Sequence, residues 1–128
     1  MTENEIGKII VDAALTVHRE LDPGLLESVY EVVLACELEQ RGLSVKRQLP
    51  ISIHYKQMTF EDAFRADLII DDKVIVELKS VEQVSEAHKK QLPTYLRLTG
   101  CKLGFLPNFG EALMKRGITR TANGIEDS

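Results

Sequence analysis

The sequence predicts an α/β fold of the α+β type, in which two helices precede a sheet of four to five strands. Apolar residues recur at helical spacing over residues 2–41, which indicates two amphipathic helices. From residue 43 the apolar period changes to two, and short segments rich in Val, Ile and Leu follow, as in strands. A chain of 128 residues with 44% apolar residues is expected to form one domain, 1–128, with a polar tail from about residue 122 to 128.

The two N-terminal helices have recognisable boundaries. The first is predicted from about Thr2 to Glu20 and is stopped by Asp22-Pro23-Gly24. The second is predicted from about Leu25 to Arg41, and Gly42 is expected to lie in a left-handed C-terminal cap. The apolar face of this second helix is predicted to contain Leu26, Val29, Val33 and Cys36.

Three strands are predicted next. Apolar and polar residues alternate from Leu43 to about Lys56, and Pro50 makes this an edge or bulged strand. Arg65 to Ile70 and Val74 to Ser80 are rich in Val, Ile and Leu, which is typical of central strands. The short polar segment between them predicts a hairpin.

The C-terminal third is predicted to contain a helix, a strand and two shorter elements. Ser85 is a plausible N-cap of a helix that reaches about Leu98, with Gly100 as its terminator. Lys102 to Leu106 is expected to form a buried strand. A short helix around Glu111 to Lys115 and a last strand at Ile118 to Thr121 are expected to follow.

Composition favours a cytoplasmic protein with reduced thiols. No segment has the pattern of a signal peptide or a membrane span. Cys36 and Cys101 show no metal-ligand spacing, so both are expected to be free, half-buried thiols. The formal net charge of −4 counts against binding of nucleic acid by bulk electrostatics, because phosphate binding normally needs a basic surface.

The candidate for chemistry is a pair of acids with a nearby lysine on the predicted hairpin. Glu77 and Lys79 lie two apart on a strand, so their side chains share one face, and Asp67 lies on the preceding strand. Two adjacent carboxylates in an apolar sheet repel each other unless a cation compensates. Mg²⁺ or Mn²⁺ would do so and would activate a water for phosphodiester hydrolysis, with Lys79 stabilising the developing charge. The alternative is a solvent-facing Glu–Lys ion pair.

This arrangement requires a particular strand register. Asp67 meets Glu77 only if Ile70 pairs with Val74, which leaves the three-residue loop 71–73 with a residue in the left-handed conformation. A two-residue loop would put the two acids on opposite faces of the sheet. The same register places Ile69 and Ile75 beside the acids and turns the following residues to the other face: Leu68, Ile70, Val74, Val76 and Leu78.

At the segment Gly24-Leu25-Leu26-Glu27-Ser28-Val29-Tyr30 the chain resembles the GxxExxY protein family, a branch of the PD-(D/E)XK nuclease-like superfamily. The resemblance covers nearly the whole chain, and its other matching segments are 64–68, 76–80, 91–95 and 100–105. It implies a restriction-endonuclease-like core, which is a mixed sheet flanked by helices with the active acids on the second and third strands.

The resemblance also implies roles for individual residues. Asp67 and Glu77 would be metal ligands together with the backbone carbonyl of Leu78, and Lys79 would be the catalytic lysine. Glu27 would be an acid contributed by a preceding helix, reaching the metal through water.

Three further residues are implied as auxiliary. These are Gln91 and Tyr95 on the helix after the core, and Tyr30, which is three residues from Glu27 and therefore expected to face the same site. Pro93 is expected to kink the helix between Gln91 and Tyr95.

The function predicted from these observations is a Mg²⁺- or Mn²⁺-dependent nuclease-type phosphodiesterase that acts on DNA or RNA. Two alternatives remain open. One is a non-catalytic module that keeps the fold to bind nucleic acid or protein. The other is a homo-oligomer in which two sites share one positive groove, since an acidic monomer is poorly suited to grip a duplex.

Overall fold

A computed structural model describes residues 1–125 of the chain. The elements in chain order are α1 (Glu3–Leu21), α2 (Glu27–Gln40), β1 (Val45–Tyr55), β2 (Met58–Ile70), β3 (Val74–Val76), α3 (Glu86–Thr99), β4 (Leu103–Pro107), α4 (Met114–Gly117) and β5 (Ile118–Ala122). The polar tail was predicted from about residue 122, and this residue is the last one of β5. Residues 126–128 of that tail lie outside the described part.

The five strands form one mixed sheet in the order β1-β2-β3-β4-β5. Strands β3 and β4 are parallel, and the other neighbouring pairs are antiparallel. The parallel pair requires a crossover connection, which α3 supplies. The predicted fold class, a mixed sheet flanked by helices after two N-terminal helices, is confirmed.

Helices cover both faces of the sheet. On one face, α1 and α2 pack on a cluster that includes Ile10, Leu34 and the even-numbered hairpin residues Leu68, Ile70, Val74, Val76 and Leu78. On the other face, α3 packs through Leu92 and Leu96 on Ile69 and Ile75. The predicted division of the hairpin residues between the two faces is therefore confirmed. Both faces are buried, which explains why β3 is apolar throughout.

The capping residues of α3 were predicted correctly, and α1 has a cap that was not predicted. Thr2 and Glu5 form a reciprocal capping box, and the hydrogen bond from the Thr2 backbone N–H lowers the pKa of the Glu5 carboxyl. Ser85 caps α3 by accepting from the His88 N–H, and Gly100 ends this helix with φ 77°. Helix α3 is one element from Glu86 to Thr99 and includes Pro93.

The predicted apolar face of α2 is wrong. Leu26 is 74% exposed and Val29 is 40% exposed, and Cys36 is exposed as well. The buried side of the helix consists instead of Tyr30, Glu31, Leu34, Ala35 and Leu38. Apolar residues lie on nearly all sides of this helix, so their periodicity did not identify the side that packs on the sheet.

The two cysteines are free, as predicted, but neither is half-buried. Cys36 is exposed on α2 and Cys101 is buried before β4. No helix among residues 1–125 combines the length and apolar character that a membrane span requires.

The edge strand β1 is irregular. The ladder between β1 and β2 shifts register between Ile51 and Ile53, as expected for a bulged edge near Pro50. Strand β2 begins at Met58, earlier than predicted, so β1 and β2 extend together beyond the rest of the sheet. The short helix α4 lies at Met114–Gly117, about three residues later than predicted.

Candidate metal centre

The β2–β3 hairpin has the register that the candidate site requires. Ile70 pairs with Val74, which leaves the loop 71–73. Asp71 and Asp72 in this loop have φ values of 52° and 56°. The predicted register and the left-handed loop conformation are therefore confirmed. Aspartate tolerates this conformation better than most non-glycine residues.

Beyond Val76 the two strands of the hairpin separate. The ladder between β2 and β3 ends there, and the chain continues along β4 alone: the Glu77 N–H donates to the Phe105 carbonyl (2.9 Å) and the Lys79 N–H donates to the Pro107 carbonyl (3.1 Å). Backbone groups that face the gap between the strands therefore need other partners.

The two acids supply these partners. Asp67 Oδ2 accepts from the Leu78 N–H at 3.0 Å, and Glu77 Oε1 accepts from the Asp67 N–H at 3.1 Å. Each carboxylate thus fixes the backbone of the strand opposite. The structure brings Asp67 and Glu77 into one site in the place where the ladder opens.

The environment of this pair disfavours two negative charges. Burial, followed by the charge of Asp67, raises the pKa of Glu77 to about 8. Burial also raises the pKa of Asp67, and the nearby charge of Glu31 adds to this effect. Without a cation, Glu77 therefore retains a proton near neutral pH.

Lys79 lies close enough for its charge to lower the pKa of Glu77, although this effect is smaller than that of burial. Its backbone is held on both sides, because the Phe109 N–H also donates to the Lys79 carbonyl at 2.8 Å. The following residues are fastened by Asn108, whose buried amide bonds to both the N–H and the carbonyl of Val81. Lys79 therefore lies in a segment whose backbone is held by hydrogen bonds at residues 79 and 81.

Tyr95 lies beside the acids, as its role in the resemblance implies. Its ring stacks on Phe64 with centroids 4.0 Å apart. Burial raises the pKa of the Tyr95 hydroxyl, and the charges of Glu77 and Asp67 raise it further. Gln91 lies one helical turn before Tyr95 and is exposed. The auxiliary roles of Tyr95 and Gln91 stay predictions.

Glu27 is the first residue of α2 and is exposed. The Ser80 hydroxyl donates to the Leu25 carbonyl at 2.9 Å, which joins this end of α2 to the segment that carries Glu77. Among residues 1–125, Glu27 has no hydrogen bond or ion pair, so the structure does not bring it into contact with the acids. Its role stays a prediction.

Tyr30 is buried, whereas Glu27 is exposed. The Tyr30 ring stacks on Phe109 with centroids 4.5 Å apart, and the Tyr30 hydroxyl donates to the Asp22 carbonyl and accepts from the Leu25 N–H. These contacts fix the turn between α1 and α2. The Tyr30 side chain is therefore engaged in this turn, and its auxiliary role at the acids stays a prediction.

Two residues near Asp67 were missed in the sequence. The Gln48 amide donates to Glu31 Oε1 at 2.7 Å and to Asp67 Oδ1 at 3.3 Å. Glu31 also accepts from Arg47 at 2.9 Å. The one available signal was the spacing of four between Glu27 and Glu31, which puts both acids on one side of α2.

The donor set of this site fits a hard divalent cation. Asp67 and Glu77 are adjacent carboxylates, the raised pKa of Glu77 favours a proton on it, and a cation in place of that proton would relieve their repulsion. Within the described residues, no group of three or more His, Cys, Asp or Glu side chains could hold a metal ion. A cation here would therefore complete its shell with backbone oxygen and water, as Mg²⁺ commonly does.

Comparison with protein families agrees with this geometry. The family model described as the PD-(D/E)XK nuclease superfamily matches residues 4–121. The chain belongs to the PD-(D/E)XK nuclease superfamily. The search of curated proteins found no match, and the search of solved structures found none either.

The PD-(D/E)XK name describes a short pattern of residues, most of which is present at this site. Glu77-Leu78-Lys79 matches its second half, and Asp67 matches the aspartate of the first half, although the preceding residue is the buried Ala66 and not proline. The assignment of these residues to the motif stays a prediction. Membership of this superfamily does not identify the branch, so the resemblance to the GxxExxY family stays a prediction.

Proposed function

We propose that this protein is a metal-dependent nuclease-type phosphodiesterase that hydrolyses DNA or RNA with a water activated by Mg²⁺ or Mn²⁺. The observation that carries the proposal is the half-buried pair of carboxylates, Asp67 and Glu77, at the point where β2 and β3 separate. Membership of the nuclease superfamily supports the reaction class.

Each residue would have a separate task. Asp67 and Glu77, with the Leu78 carbonyl, would hold the cation. Bound there, the ion would lower the pKa of a coordinated water and neutralise charge on the phosphate. Lys79, on the same side of the strand as Glu77, would stabilise negative charge that develops on the phosphate or orient the water. Glu27 would contribute through water, from the end of α2 that Ser80 contacts.

A second function is favoured by one observation. Since no three-ligand group is present among residues 1–125, the fold could serve as a non-catalytic module that binds nucleic acid or protein. The two functions differ in metal dependence, because a binding module needs no cation between Asp67 and Glu77.

The test is cleavage of single-stranded and duplex DNA and RNA with Mg²⁺, Mn²⁺ or EDTA. We expect cleavage only with metal, and we expect Asp67→Asn to raise the metal concentration for half-maximal cleavage on the order of 10²-fold, because it removes a charged ligand. Asp72→Asn is the matched control, since Asp72 lies in the same hairpin with an exposed side chain.

Cleavage that persists in EDTA, or an Asp67→Asn variant with the metal dependence of the wild type, would contradict the proposed function. Metal-independent binding of nucleic acid without cleavage would establish the binding module instead.

A further inference from the structure

Gln48 has a backbone conformation that glutamine rarely adopts. Its φ is 51°, although it lies within strand β1, opposite Asp67 and at a position where the β1–β2 ladder skips one pair. A side chain in the left-handed region is disfavoured, so the surrounding contacts must hold the residue there. Strained backbone conformations of this kind cluster at functional sites, where they help to position side chains.

The side chain of Gln48 connects two acids. Its amide nitrogen donates to Glu31 Oε1 at 2.7 Å and to Asp67 Oδ1 at 3.3 Å. The Glu31 side chain is only 9% exposed, and its other oxygen accepts from Arg47 at 2.9 and 3.2 Å. The Glu31 carboxylate is therefore held in place by Arg47, and it holds the Gln48 amide in place.

This contact completes the restraint of Asp67. Oδ2 of Asp67 is held by the Leu78 N–H, and Oδ1 is held by the Gln48 amide. With both oxygens restrained, the plane of the carboxylate cannot rotate freely. Partners of this kind orient metal ligands, and their loss typically weakens metal binding by about 10- to 100-fold.

We propose that Gln48 and Glu31 are positioning residues that orient Asp67 for binding of the divalent cation. The inference rests on the proposed function, because it assigns a task to residues around the same metal. Gln48 acts directly on Asp67, and Glu31 acts through Gln48. Arg47 forms an ion pair with Glu31, and this pair holds the buried carboxylate in position to accept a hydrogen bond from the Gln48 amide.

The test is the dissociation constant of Mn²⁺, measured by calorimetry for the wild type, Gln48→Gly and Lys56→Gly. Lys56 is the matched control, because it has φ 54° on the same strand pair but lies exposed at the turn. Both substitutions relieve a left-handed backbone. We expect Gln48→Gly to weaken Mn²⁺ binding by roughly 10- to 100-fold. Lys56→Gly should stay within about twofold of the wild type.

Gln48→Asn provides a second variant in case the glycine impairs folding. Asparagine tolerates the left-handed region and keeps the amide, but it is one methylene shorter and cannot span the two carboxylates. Gln48→Asn is therefore also expected to weaken Mn²⁺ binding. Urea unfolding of each variant shows that the binding measurements refer to folded protein.

A double-mutant cycle with Glu31→Gln tests how Glu31 acts. If Glu31 acts through Gln48, the change weakens Mn²⁺ binding in the wild type and has little further effect in Gln48→Gly. An equal effect in both backgrounds would overturn this assignment of Glu31. Wild-type affinity in both Gln48→Gly and Gln48→Asn would overturn the inference alone, whereas a wild type that binds no Mn²⁺ would overturn the proposed function with it.

Discussion

The Lys79→Ala variant is expected to lose metal-dependent phosphodiester cleavage by about 10³-fold while keeping its fold and its affinity for Mn²⁺. The backbone of Lys79 is held by the Pro107 carbonyl on one side and the Phe109 N–H on the other, so truncation of the side chain leaves the segment in place. Only the ammonium is removed, and the two proposed metal ligands are unchanged.

Single-turnover cleavage at saturating Mn²⁺ measures this effect, because it separates the chemical step from metal binding. Lys46→Ala is the control, since Lys46 is exposed and pairs with Asp72 in the hairpin loop. A Lys79→Ala rate within threefold of wild type would exclude a role for this lysine in the reaction.

The Glu77→Gln variant is expected to remove most of the pH dependence of stability between pH 5 and pH 8 in metal-free protein. The pKa of Glu77 rises from 4.5 to about 8 on folding, so the folded state holds a proton that the unfolded state releases. Its contribution to stability is present below pH 4.5 and is lost as pH rises through about 8. This loss amounts to roughly 2–4 kcal/mol.

Urea unfolding in EDTA at several pH values measures the effect. The free energy of unfolding of the wild type should fall across this range, and that of Glu77→Gln should stay more nearly level. Because Asp67 and Glu77 titrate as an interacting pair, the difference between the two curves reports this pair. Glu82→Gln, an exposed change, is the control. Identical slopes for wild type and Glu77→Gln would show that Glu77 is ionised in the folded protein.

The sequence predicted those parts of the site that depend on local geometry. Parity limits the hairpin to two registers, and the three-residue loop that pairs Ile70 with Val74 is the one that places Asp67 and Glu77 in one site. The capping residues Ser85 and Gly100 were likewise predictable, since a cap involves groups within one turn of helix.

Long-range packing was not predictable in the same way. Helix α2 has apolar residues on opposite sides, and the sheet covers the side with Leu34 and Leu38 instead of the side with Leu26 and Val29. Only the position of the helix on the sheet distinguishes these two sides. No periodicity in one sequence contains that information.

The contacts of Glu31 and Gln48 were missed for a related reason. Gln48 is 17 residues from Glu31 and 19 from Asp67, and it reaches both through a left-handed backbone in an edge strand. An irregularity of this kind follows from tertiary contacts and not from the local preference of glutamine.

We propose that Asp67 and Glu77 bind one divalent cation in place of the proton on Glu77, and calorimetric titration with Mn²⁺ at pH 7 tests this most directly. Because the pKa of Glu77 is about 8 without metal, binding should release close to one proton, which appears as a binding enthalpy that depends on the ionisation enthalpy of the buffer. The predicted result is one site per chain with this proton release, and neither in Asp67→Asn. Absence of binding at millimolar Mn²⁺, or binding without release of a proton, would contradict the claim.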